Sequence, residues 1–170
     1  MLGDIVEADV DVVVNAANSG LMGGGGVDGA ILRAGGDAQL AARRELRARI
    51  GSLPAGQAAV TVAGDMRCRW VVHVVGPVFS RMEDRSALLA SCYSEALRVA
   101  DALDAVSIAF PAVSAGIYGW PMDSAAGIAV RSVRQTATTS VADVRFVLFS
   151  QPAYDEFARA LESHGPSVAR

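Results

Sequence analysis

Residues Val12–Gly36 read VVVNAANSGLMGGGGVDGAILRAGG, and this stretch decides the fold. The apolar run Val12-Val13-Val14 is β-branched and suits a buried strand. It stops at Asn15-Ala16-Ala17-Asn18, crosses four consecutive glycines (Gly23 to Gly26), and restarts as a short helix at Asp28. A strand that ends in a glycine-rich loop and feeds a helix N-terminus has the geometry of a phosphate site. The glycines admit close backbone approach, and the helix end adds partial positive charge. Asn18 and Asp28 flank the loop. Four glycines would also suit a flexible linker, but linkers are rarely preceded by a valine run.

Outward from this stretch, strands and helices alternate. Leu2 to Val6 reads as a strand or the end of one. A helix from Asp28 to Ala34 is stopped by Gly35-Gly36. Asp37 reads as the cap of a second helix through Ile50, with Leu40, Leu46 and Ile50 facing inward and Arg43, Arg44, Arg47 and Arg49 mostly on a solvated side. Ala58–Val62 and Trp70–Val75 are short β-branched runs bounded by turns, with the reversal at Gly64-Asp65. His73, among valines, is expected to be a satisfied core histidine. Asp84 to Leu103 carries a stripe of Leu88, Leu89, Cys92, Ala96, Val99, Ala100 and Leu103 at helical spacing. Val106–Phe110 is a strand, Asp123–Thr136 a helix capped by Asp123 or Ser124, Val144–Phe149 the last strand, and Ala153–Glu162 the last helix. The alternation predicts an α/β fold: a three-layer α/β/α sandwich with a mixed, mainly parallel central sheet. One domain is expected over residues 1–165, with a frayed tail at 166–170.

Composition narrows the partners. The chain has 170 residues, 52% hydrophobic, and a formal net charge of −3. No apolar run approaches a membrane span, and no signal peptide is recognised, so a cytoplasmic protein is expected. The charge balance and the absence of a basic face disfavour nucleic acid. Cys68 and Cys92 fit no zinc or redox spacing and read as core residues. The P-loop pattern GxxxxGK(S/T) is absent.

A second loop, Ser114 to Gly119, has the same grammar as the first: a strand ends, small residues follow, a helix begins. Alone it fits an ordinary turn equally well, and Tyr118 fits a packing role. Two such loops at one sheet edge could hold two phosphates from opposite sides.

Together the motifs resemble a known family. Gly3-Asp4-Ile5, Val14-Asn15-Ala16-Ala17-Asn18, Gly23-Gly24-Gly25-Gly26-Val27-Asp28-Gly29, His73-Val74-Val75-Gly76-Pro77, and Phe110-Pro111 through Ser114-Ala115-Gly116-Ile117-Tyr118-Gly119 look like a macrodomain of the MacroD type. The resemblance runs from residue 3 to about residue 160. It implies an ADP-ribose cleft and hydrolysis of esters at the distal ribose, namely removal of mono-ADP-ribose from Asp or Glu of proteins and deacetylation of O-acetyl-ADP-ribose. By the resemblance, Asp4 accepts a hydrogen bond from the adenine amino group with Ile5 beside it, and Phe149 stacks on adenine. Asn15, Gly24, Gly25, Gly26 and Val27 on one side, and Ser114, Ala115, Gly116, Ile117 and Tyr118 on the other, contact the ligand. Asn18 holds the distal ribose and Asp28 orients or deprotonates the attacking water. Ester hydrolysis needs such a positioned water and a group to receive its proton. By residue type alone, Asp28 could be a helix cap, Asn18 a turn residue and Asp4 an Asx-turn.

The chain departs from the family pattern at three places. Only Met1 and Leu2 precede Gly-Asp-Ile, so the N-terminal edge strand is expected to be short or missing. Leu32 stands where many relatives have histidine, and Ala115 where threonine is common. The added Cys and His ligands of zinc-dependent macrodomains are not found. The expectation is a monomeric enzyme with no metal and no cofactor, acting on ADP-ribose esters and mono-ADP-ribosylated proteins. The alternatives are a module that binds ADP-ribose without turnover and a phosphatase acting on ADP-ribose 1″-phosphate.

Overall fold

The computed structural model describes residues 1–165; the expected frayed tail at 166–170 lies outside the described residues. In chain order the elements are β1 (Val12–Ala17), α1 (Gly26–Ile50), β2 (Ala58–Val62), β3 (Trp70–Val75), α2 (Ser86–Ala102), β4 (Ser107–Phe110), α3 (Met122–Gln135), β5 (Asp143–Phe146) and α4 (Gln151–Ser163). The sheet order is β2-β3-β1-β4-β5. Only β2 runs antiparallel to its neighbour; β3, β1, β4 and β5 are parallel. The expected three-layer sandwich with a mixed, mainly parallel sheet is what forms.

Strand alternation sorts the core into two layers. Val12, Val14, Val72, Val74, Ile108 and Phe110 point to one face, where α2, α3 and α4 cover them. Val13, Val71 and Ala109 point to the other, against Ile31 of α1, and Ala17 and Val75 meet Leu46 further along the same helix. Each fully buried valine contributes on the order of 2 kcal/mol of apolar burial. Both cysteines are free and buried, as expected. Burial pushes the Cys92 thiol up to about 12.

α1 is two helices joined at a break. Gly36 has φ 64° and ψ −157°, a region that L side chains rarely adopt. The stop expected at Gly35-Gly36 is therefore present, although helical residues resume at once. Without the break, Asp28 and Arg43 would lie about 22 Å apart along one axis; with it their side chains touch.

Several local expectations are corrected. Leu2 to Val6 is no strand: Leu2 makes a single parallel bridge to Leu148, and Ile5–Glu7 is a 3-10 turn capped by Asp4. In the second half of α1 the inward residues are Gln39, Arg43 and Leu46, while Leu40 is half-buried and Ile50 exposed. Arg43 is thus removed from the solvated side. In α2 the buried stripe includes Tyr93 and Leu97, and Leu88 is exposed. Pro121, not Asp123 or Ser124, occupies the α3 cap position. β5 ends at Phe146, so Phe149 stands beyond the strand.

Candidate active site

β1 and β4 are adjacent and parallel, but the chain leaves them towards opposite faces. After β1 it crosses to α1; after β4 it passes to α3 in the other layer. Two neighbouring strands with diverging connections leave a crevice beyond their carboxyl ends, where α/β sheets bind ligands. The two glycine-containing loops line that crevice from opposite sides.

On the first side, Gly24, Gly25 and Gly26 are exposed and Val27 is half-buried against the α1-side core. The helix begins at Gly26 with Gly25 as cap residue and no side-chain cap. The first N–H groups of a helix have no partner within it and suit an anion. Asn18 donates from Nδ2 to the Gly23 carbonyl at 3.0 Å, which ties the loop together. A methyl placed on Gly24 would lie 3.7 Å from Asn18 Nδ2 and 3.8 Å from Asp28 Oδ2, so both side chains converge on that glycine. Gly24, Gly26 and Gly29 also have GxGxxG spacing. A methyl on Gly29 would stand 2.5 Å from the Gly24 carbonyl, so the close packing of loop on helix needs glycine there.

Asp28 is the third residue of α1 and is not its cap. It is only 4% exposed. Its Oδ1 accepts from Arg43 Nη1 at 2.5 Å and from Asn15 Nδ2 at 2.8 Å. Its Oδ2 is buried without a partner, as are Asn15 Oδ1 and Arg43 Nη2. Asn15 is fully buried and turned into the α1 layer. There its Nδ2 also approaches His73 Nδ1 at 3.0 Å. His73 Nε2 lies 2.8 Å from Thr61 Oγ1, which accepts from Gln39 Nε2 at 2.8 Å. Gln39 Oε1 accepts from Arg43 Nε at 2.5 Å. His73 is the partnered core histidine expected; burial, helped by the Arg43 charge, lowers its pKa to about 3.

On the second side, Ser114 is buried with a positive φ of 63° and an unpartnered Oγ. Such a backbone angle on serine is strained. The loop is held by the Trp120 N–H donating to the Ser114 carbonyl and the Phe79 N–H donating to the Tyr118 carbonyl. Tyr93 Oη accepts from the Val113 N–H at the loop's start. Ala115 and Tyr118 are half-buried, Gly116 is exposed, and Ile117 is 99% exposed at the tip.

Asp4, exposed, accepts the Val6 N–H through Oδ1. The Gly3 N–H donates to the Leu148 carbonyl, which ties together the residues immediately before Asp4 and Phe149. Phe149 is 86% exposed. Ile5 instead buries its side chain in the core, leaving only backbone for a ligand. Arg43, Gln39 and Thr61 were missed in the sequence. The available signal for Arg43 was its position three residues before Leu46, on the same helix face. A groove of about 500 Å³ lined by Phe79, Asp84, Arg85, Trp120, Asp123 and Arg131 lies outside the crevice. Among the described residues no group of three or more His, Cys, Asp or Glu side chains could hold a metal ion. No helix among them is long and apolar enough to cross a membrane.

Fold and site together define an α/β domain with a crevice between two loops at a strand-order switch and a buried carboxylate at one wall. The Macro domain family profile matches residues 14–129, and the chain belongs to that family. It is 63% identical over 161 residues to a macro domain-containing protein in non 5'region of Streptomyces griseus, covering 94% of this chain and 91% of that one. It is 46% identical over 169 residues to an O-acetyl-ADP-ribose deacetylase of Klebsiella pneumoniae, covering 96% and 95%. Among solved structures, a mutant Oceanobacillus iheyensis macrodomain with ADPR superposes with a TM-score of 0.91 at 37% identity, covering 96% of this chain and 90% of that one.

Proposed function

We propose that this chain is a MacroD-type hydrolase that binds ADP-ribose in the crevice and cleaves esters at its distal ribose. Its substrates are O-acetyl-ADP-ribose and proteins carrying mono-ADP-ribose on Asp or Glu. The observation that carries this reading is the Asp28 carboxylate, held at Oδ1 by Arg43 and Asn15 while Oδ2 faces Gly24 and Asn18 without a partner. A pure binding module has no need of a buried, oriented carboxylate at the reacting end.

In this reading the α1 N-terminus and the Ser114–Tyr118 loop enclose the diphosphate, Asp4 takes the adenine amino group and Phe149 stacks on the base. Asn18 orients the distal ribose. Asp28 Oδ2 takes a proton from water as the water oxygen attacks the acyl carbon; the acyl–oxygen bond breaks, and that proton passes to the departing ribose oxygen, which leaves as a hydroxyl. Placement of the water supplies much of the effect. A macrodomain relative named as a deacetylase and a close structural neighbour with ADPR support the substrate class.

The test is release of acetate from O-acetyl-ADP-ribose and of label from an Asp/Glu-linked ADP-ribosylated protein. Wild type should release both. Asp28→Asn and Asn18→Ala should bind ADP-ribose and release neither at a comparable rate. Binding without release by wild type would make the chain a binding module. Phosphate release from ADP-ribose 1″-phosphate would make it a phosphatase.

A further inference from the structure

We propose that Arg43 is a positioning residue for hydrolysis: it closes a ring of buried side chains that fixes Asp28 Oδ1 and leaves Oδ2 alone to face the reacting end. The proposal rests on the hydrolase reading of the site. All six members of the ring, Asn15, Asp28, Gln39, Arg43, Thr61 and His73, are buried. Water therefore does not compete for their donors.

The donors and acceptors allow one consistent arrangement. Asp28 as a carboxylate only accepts, so the Asn15 amide must present Nδ2 to it. The second Nδ2 hydrogen then points to His73 Nδ1, which must accept. The imidazole proton is thereby placed on Nε2, donating to Thr61 Oγ1. Gln39 uses both Nε2 hydrogens, on Thr61 Oγ1 and the Val62 carbonyl. This leaves Gln39 Oε1 to accept Arg43 Nε, while Nη1 of the same guanidinium returns to Asp28. The opposite histidine tautomer would set two N–H donors against each other at Asn15. A rigid guanidinium fork serves both ends of the ring at once, which one ammonium cannot do.

The ring also spans four elements. α1 contributes Asp28 before the break and Gln39 and Arg43 after it, β1 contributes Asn15, and β2 and β3 contribute Thr61 and His73. Asp28 is therefore oriented by the sheet and by the second half of its own helix, not by the glycine loop, and a change in that loop on ligand entry need not move it.

The experiment compares wild type with Arg43→Gln and Arg43→Lys. Turnover of O-acetyl-ADP-ribose should fall roughly 10- to 100-fold in Arg43→Gln, as for a misplaced catalytic group, while ADP-ribose affinity stays within about threefold on the same grounds. Arg43→Lys should recover only part of the rate. Unchanged turnover in folded Arg43→Gln, with only a lower melting temperature, would overturn the proposal. Two readouts hold without turnover. Nitrogen-15 NMR of wild type should find His73 neutral with its proton on Nε2, and a crystal structure of Arg43→Gln should find the Asp28 carboxylate turned. The Nδ1–H tautomer, or an unmoved Asp28, would overturn the ring whether or not wild type hydrolyses an ester; absence of turnover with both readouts as expected would instead retire the hydrolase reading.

Discussion

Acidification should unfold this protein through His73. The imidazole is fully buried between Asn15 and Thr61, and its pKa is lowered to about 3 from an ordinary 6.5, first by burial and then by the Arg43 charge. The charged groups near it are Arg43 and, through Asn15, Asp28. A lowered folded pKa means that below 6.5 the unfolded chain takes up a proton that the folded protein refuses. Stability is thus unaffected by this group above about pH 7 and falls as pH drops towards 3. At about pH 4.5, two units below the unfolded value, the loss from this group alone is about 3 kcal/mol. That is a large share of the usual stability of a domain. Asp11 and Asp101 accept backbone N–H bonds that lower their pKa values, and they add acid sensitivity of their own. Urea unfolding of wild type and His73→Gln at the two pH values separates the contributions. The variant will be less stable at neutral pH, but its further loss on acidification should be smaller by about 3 kcal/mol. Equal losses in the two proteins would refute the reasoning.

Other perturbations test other parts of the site. Asp28→Asn keeps the shape but leaves the Arg43 charge buried and unneutralised, so it should cost about 3–5 kcal/mol of stability in denaturant unfolding as well as activity. Gly76→Ala would place a methyl 1.9 Å from Ser114 Oγ and 2.8 Å from Val113 Cγ1; the displaced loop should cost about 1–3 kcal/mol and weaken ADP-ribose binding in calorimetry. Phe149→Ala, at an exposed ring, should leave the melting temperature unchanged and weaken ADP-ribose by about 1–3 kcal/mol if the ring stacks on adenine. Gly36→Ala should cost about 1–3 kcal/mol in unfolding and lower turnover without lowering affinity.

The fold was legible because its strands are strongly patterned. Ala58–Val62 and Trp70–Val75 were bounded correctly from β-branched runs between turns. Ends set by single bridges were harder, since Leu2 to Val6 looks like a strand and forms only one bridge. The crevice loops were legible because glycine and asparagine mark backbone need directly. The side chains behind Asp28 were not. Arginine on an amphipathic helix is nearly always at the surface, and only a buried carboxylate fifteen positions earlier makes Arg43 an exception. That pairing depends on a backbone break whose angle the dipeptide Gly35-Gly36 allows but does not specify. Asn15 was assigned to the ligand from its place in a motif; the structure turns it inward to hold Asp28.

The break in α1 has a consequence for how substitutions in this chain will be interpreted. Gly36 touches neither ligand wall, yet it decides whether the guanidinium of one half-helix can neutralise the carboxylate of the other. A variant there would score as a loss of activity in any functional screen and be assigned to the active site, although its effect would be carried by the sign of a single torsion angle.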